Sequence, residues 1–115
     1  MTKIDLNKSY YTIGEVSRAA GVQQHVLRNW EKEIGFLKPK KKDSGHRLYT
    51  KKDLEIALRI KELLYDELYT IKGAKKQLWY ELKRNKIPSF PTIIKRMKND
   101  LIGLLDRVSR ALDDL

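Results

Sequence analysis

The side chains best suited to recognising another molecule are concentrated in two neighbouring stretches. In Val22-Gln-Gln-His-Val-Leu-Arg-Asn-Trp30, the apolar Val22, Val26, Leu27 and Trp30 recur at helical spacing and leave Gln23, Gln24, His25, Arg28 and Asn29 to point elsewhere. Amide and guanidinium groups pair bidentately with adenine and guanine edges. Further on, Lys38, Lys40, Lys41, Lys42, His46 and Arg47 gather within one short stretch. Such cations neutralise phosphates and fix register without reading sequence. Each has a duller use as well: Arg28 can pair with a helix carboxylate, Gln24 and Asn29 can be plain solvated amides, and Lys40 to Lys42 can be a solvated loop.

Other chemistries have little to build on. The chain has no cysteine, which removes disulfides and thiolate metal sites, and its two histidines, His25 and His46, lack a second ligand at helical spacing. It contains no Gly-rich phosphate loop, no Gly-x-Ser-x-Gly elbow and no His-Glu-x-x-His, while Asp113-Asp114 reads as a solvated acidic end. The expectation is a non-enzyme without metal or cofactor. The 115 residues bound it to one compact domain plus an appended element, and no apolar run approaches membrane-spanning length. The start lacks a secretory signal, so a cytoplasmic location is expected. The formal charge of +10 draws polyanions. Residues 1–50 hold ten Lys and Arg against five Asp and Glu, 51–92 ten against six, and 93–115 five against four, so the surplus lies in the first two-thirds.

Helices and one hairpin must position these groups. Thr12 with Glu15 has the spacing of a capping box, and Gly21 suits a left-handed turn before a second helix from Gln23 to about Glu33. Trp30 falls on the packed face of that helix. Pro39 and the turn residues Lys40-Lys-Lys-Asp-Ser-Gly45 predict a basic hairpin, or wing, that returns through His46-Arg-Leu-Tyr49. Thr50 with Asp53 opens a helix to about Asp66, and Thr70 opens another to about Arg84. Tyr65, Tyr69, Trp79 and Tyr80 are read as packing between these two helices, with an aromatic effector pocket as the alternative. Ile94, Met97, Leu101, Leu104, Val108, Ala111 and Leu115 then form a heptad seam. Three isolated heptads are marginal in water, and Gly103 weakens them further, so a partner helix is expected. The organisation is an arm at 1–10, a DNA-binding domain at 11–85, a Pro-containing linker at 86–92 and a dimerisation helix at 93–115.

Tyr11-Thr-Ile-Gly-Glu-Val16, Gly21-Val22, Leu27-Arg-Asn-Trp-Glu31, Gly35-Phe-Leu-Lys-Pro39, Ser44-Gly-His-Arg-Leu-Tyr-Thr50 and Thr70-Ile-Lys-Gly-Ala74 together resemble the MerR family of transcription regulators. The resemblance runs from about Tyr10 to Leu82. Its Gly-His-Arg wing is closest to the subgroup that pairs this domain with a light-sensing, cobalamin-sensing or other C-terminal module, although none is expected within these residues. It implies a mostly α, winged helix-turn-helix fold followed by an antiparallel coiled-coil dimerisation helix. The implied partners are a second copy of the chain, double-stranded promoter or operator DNA carrying an inverted repeat, and RNA polymerase through the promoter. Position by position it puts Gln24, His25 and Arg28 at or near the groove and likens Arg47 and Tyr49 to phosphate-contacting residues; Thr12, Gln23, Asn29, His46 and the wing lysines complete the candidate interface. One departure stands out: the family usually has a Tyr where Asn29 stands. A different reading of the same fold is an architectural or recombination-directionality protein that bends DNA without regulating a promoter, and a third is an adaptor whose coiled coil recruits another protein.

Overall fold

The structure, a computed structural model, describes residues 8–113, apart from the side chains of residues 90, 91, 94, 97, 100, 101 and 104. In chain order it consists of β1 (Tyr10–Thr12), α1 (Ile13–Ala20), α2 (Gln24–Glu33), β2 (Lys40–Lys41), β3 (Arg47–Thr50), α3 (Lys51–Lys61) running into a π-helical turn (Glu62–Asp66), α4 (Ile71–Lys83) and α5 (Phe90–Asp113). Among the described residues no helix is long and apolar enough to cross a membrane.

Local signals set most helix ends. The Thr12 hydroxyl accepts from the Glu15 N–H at 3.1 Å, and the Glu15 carboxylate accepts from the Thr12 N–H at 3.0 Å. Lys8 donates to the same carboxylate at 2.6–2.7 Å, and this contact, with the Thr12 backbone, holds Glu15 below its ordinary pKa. Gly21 ends α1 at φ 69°, where its N–H reaches the Ser17 carbonyl at 2.9 Å. Thr50 and Asp53 repeat the capping box at α3, and the Thr70 hydroxyl caps α4 by accepting from the Gly73 N–H at 3.0 Å.

Two element boundaries differ from expectation. Tyr10–Thr12 is a strand rather than arm and helix entry: it pairs antiparallel with β3 (Tyr10 opposite Thr50, Thr12 opposite Leu48), while β2 pairs on the other side of β3 (Lys40 opposite Leu48, Lys41 opposite Arg47). The sheet order is therefore β1-β3-β2. Three residues are too short to display a period of two, and their strand partner lies far along the chain. The last helix begins at Phe90, inside the expected 86–92 linker. Pro91 falls in its first turn, where a missing N–H costs no helical hydrogen bond.

One core joins these elements. Leu27, Trp30, Ile34 and Leu37 meet Leu54, Leu58, Leu63, Leu78 and, from the start of α5, Ile93. At the edge of this core lies an ion-pair cluster. Arg59 donates to both oxygens of Glu81 at 2.8 Å, to Glu67 at 2.8 Å and to Glu62 at 3.2 Å; Arg96 of α5 reaches Glu62 at 2.8 Å. Burial pushes the Glu81 carboxyl up, but hydrogen bonds from Arg59 and Gln77 outweigh it and leave the pKa below the ordinary value. A depressed folded pKa contributes stability above the unfolded carboxylate pKa, near 4.3, that is lost as pH falls through the folded value. Glu81→Gln is expected to cost about 1–3 kcal/mol at neutral pH. The gap from the unsubstituted chain should narrow below the ordinary carboxylate range, which urea unfolding at neutral and acid pH checks.

Candidate nucleic-acid interface

The first two helices and the hairpin border one cleft. The tight turn at Gly21 sets α2 against α1, and Leu27 and Trp30 fix its inner face at 0% and 2% exposure. Gln24, His25, Arg28 and Asn29 are left exposed on its outer side, and Gln23 is the N-cap residue, with no hydrogen bond from its own side chain to the cap. The hairpin turns through Gly45 at φ 84°, closed by the Gly45 N–H to the Lys42 carbonyl at 2.8 Å and the Lys42 N–H to the His46 carbonyl at 2.9 Å. Between helix and wing runs a cleft of about 330 Å³ lined by Thr12, Arg28, Lys42, Gly45, His46 and Arg47, among others.

Glu31 holds the two sides of this cleft together. Its carboxylate accepts from the Tyr49 hydroxyl at 2.8 Å and from Arg47 Nε at 3.1–3.2 Å. Glu31 went unnoticed in the sequence as a site residue, because no local spacing links an α2 carboxylate to residues on β3. Tyr49 itself corrects an expectation. It is 0% exposed, so it anchors the wing from within the core and is not placed to touch phosphate. Burial and the neighbouring Glu31 push its hydroxyl pKa well above the tyrosine value. Arg47 is only partly exposed and shares its guanidinium between Glu31 and the cleft.

The remaining candidates are spread around this centre. Lys38, Lys40, Lys41, Lys42 and His46 are all exposed. Lys40 lies across the sheet, its ammonium 5.7 Å from the Tyr10 ring centroid, and Lys38 sends its backbone N–H to Asp53 at 3.4 Å. The Thr12 hydroxyl is occupied as a helix cap. Among the described residues no three His, Asp or Glu side chains come close enough together to hold a metal. Tyr65, Tyr69, Trp79 and Tyr80 are 37–53% exposed, which corrects the reading that they pack between α3 and α4; Leu58, Leu63, Ala74 and Leu78 supply the buried core of this region instead. Of the heptad seam, Val108 and Ala111 are exposed, whereas the side chains of Ile94, Met97, Leu101 and Leu104, and all of Leu115, lie outside the described residues.

A helix pair bent at a glycine, backed by a small sheet whose hairpin stands beside the second helix, defines a winged helix-turn-helix protein. The sequence profile described as "MerR HTH family regulatory protein" matches residues 11–80, and the chain belongs to this family. It is 42% identical over 53 residues to the HTH-type transcriptional regulator MlrA of Escherichia coli (strain K12), a match covering 46% of this chain and 21% of that protein. It is 29% identical over 105 residues to the HTH-type transcriptional repressor CarA of Myxococcus xanthus, covering 89% and 36% respectively. The chain thus spans about a fifth to a third of the length of these relatives. A crystal structure of a MerR-family transcriptional regulator from Bacillus cereus has the same fold, with a TM-score of 0.54 and 22% identity over 90% of this chain and 75% of that one.

If Glu31 is the clasp between wing and helix, Tyr49→Phe should lower stability by about 0.5–1.5 kcal/mol through the lost hydrogen bond. His46→Ala, at an exposed wing position, should stay within about 0.5 kcal/mol of the unsubstituted chain. Urea midpoints measured side by side check both.

Proposed function

We propose that the chain is a homodimeric, sequence-specific double-stranded DNA-binding transcription regulator that recognises an inverted-repeat operator and distorts promoter DNA. The observation that carries this reading is the shared cleft, in which Arg28 of α2 stands opposite Lys42 and His46 of the wing. A recognition helix enters a major groove with its N-terminal side chains at the base edges. Gln24, His25 and Arg28 are the exposed residues of the first turns of α2, so they take the base-reading role, with Asn29 beside them. Lys38, Lys40, Lys41 and Lys42 take the phosphate-neutralising role, and Arg47, braced by Glu31, fixes the wing's angle. The transcriptional regulators and repressors among its relatives support the same assignment.

A single domain reads one half-site, so an inverted repeat calls for two copies. The reading assigns their association to α5, where Val108 of the heptad seam and Ile102, Leu105 and Leu112 next to it are 49–63% exposed. Twofold symmetry then sets half-site spacing, and contact with RNA polymerase comes through the promoter they share.

Selection of bound duplexes from a random pool near physiological salt should enrich an inverted repeat with fixed spacing; an unenriched pool would favour the architectural role. On the selected site, Arg28→Ala is expected to cost about 1–3 kcal/mol and relax preference at one base step, whereas Lys41→Ala should weaken all sequences alike and reduce the salt slope by about 1. Equal losses on operator and random duplex would remove Arg28 from base reading. Leu105→Asp with Val108→Asp, both exposed in the protomer, should leave the domain folded by circular dichroism yet monomeric by light scattering. A dimer that persists would displace α5 from that role.

A further inference from the structure

We infer that the outward face of α4, together with Phe36, is a binding groove for a planar aromatic anion, an arene bearing a carboxylate or sulfonate. The groove encloses about 660 Å³ and is lined by Phe36, Lys72, Lys75, Lys76, Trp79 and Tyr80. That volume lies within the range of small-molecule sites. The five α4 residues follow helical spacing, so three ammonium groups and two rings share one face. The opposite face is already satisfied: Ala74 and Leu78 are in the core, and Glu81, the one acid of α4, is buried against Arg59 and Gln77. No carboxylate of this helix therefore offsets the lysines.

Further cations are held against the rings. The Lys83 ammonium lies 4.8 Å from the Trp79 ring centroid and the Arg84 guanidinium 4.5 Å from that of Tyr80. Even so, Trp79 remains 53% and Tyr80 45% exposed. A ring with an acidic substituent meets both halves of this surface at once, stacking on the aromatics while its charge is shared among Lys72, Lys75 and Lys76. Duplex DNA offers the phosphates but keeps its base faces stacked inside, and a cationic arene meets five like charges. This inference is independent of the operator reading.

The two tryptophans give a direct readout, because Trp30 is 2% exposed and Trp79 is not. In the full chain, 1-naphthoate should shift the Trp79 indole N–H resonance saturably and leave that of Trp30 in place, while 1-naphthylmethylammonium shifts neither. Lys75→Gln with Lys76→Gln should weaken naphthoate binding at least about fivefold, and Trp79→Leu should remove the saturation transfer to the ligand. The inference is overturned if the shift does not saturate, if the ammonium compound binds equally well, or if the lysine variant binds unchanged. It is also overturned if a random-sequence duplex shifts Trp79 and displaces naphthoate, since α4 would then belong to the nucleic-acid interface.

Discussion

The geometry of the candidate interface depends on one carboxylate. Glu31 sits near the end of α2, yet its two oxygens are occupied by Tyr49 and Arg47 of β3. A two-stranded hairpin is marginal by itself, and β2 contributes only two paired residues. Without an anchor the wing would be free to swing relative to α2, and the distance between Arg28 and the wing tip would have no fixed value. Three features supply the anchor: β1 on the far edge of β3, the buried ring of Tyr49, and the charge-assisted bonds to Glu31. The hydroxyl-to-carboxylate contact is shielded by the same core that buries the ring, which strengthens it relative to an exposed pair.

The Arg59 cluster performs the corresponding task at the other end of the domain. Its members come from α3, the π-helical turn, α4 and, through Arg96, α5. In the π turn the Glu67 N–H bonds back five residues to the Glu62 carbonyl at 2.9 Å, which brings Glu62 and Glu67 to the same guanidinium. Buried ion pairs add little net stability because desolvation offsets attraction. Their directional demand is larger: Arg59 must face Glu81 with its whole fork, and Glu62 must lie between Arg59 and Arg96. Together with the buried Ile93, this fixes how α5 leaves the domain.

What could be read in the sequence was whatever is local. The Thr12, Thr50 and Thr70 caps, the left-handed Gly21 and the hairpin turn at Gly45 depend on residues within three or four positions of each other, and the structure has all five. The apolar face of α2 was legible for the same reason. The features that escaped depend on partners distant in the chain. β1 exists because β3 offers it an edge, Tyr49 is buried because β3 packs on α1 and α3, and Glu31 matters because the wing folds back toward it. Pro91 misled in the opposite sense: a proline reads as a break, and only the backbone shows whether it stands before a helix or in its first turn. Trp79 and Tyr80 also escaped, since their spacing on α4 fits a buried face as well as an exposed one.

Acids and bases are put to different uses in this chain. Glu15, Glu31, Asp53, Glu62, Glu67 and Glu81 are engaged in caps and in pairs with Lys8, Arg47, Arg59 and Arg96, contacts that hold elements in place. Arginine suits the part-buried pairs because its planar fork matches a carboxylate and keeps its charge when desolvated. The lysines of the wing and of α4 face solvent instead. The surplus of +10 is set by composition, 25 Lys and Arg against 15 Asp and Glu, and the structural use of so many of these acids leaves the positive field outside. Part-buried pairs are screened by salt far less than exposed charges. Ionic strength can therefore weaken what the surface attracts while the scaffold that aims Arg28 and the wing keeps its shape.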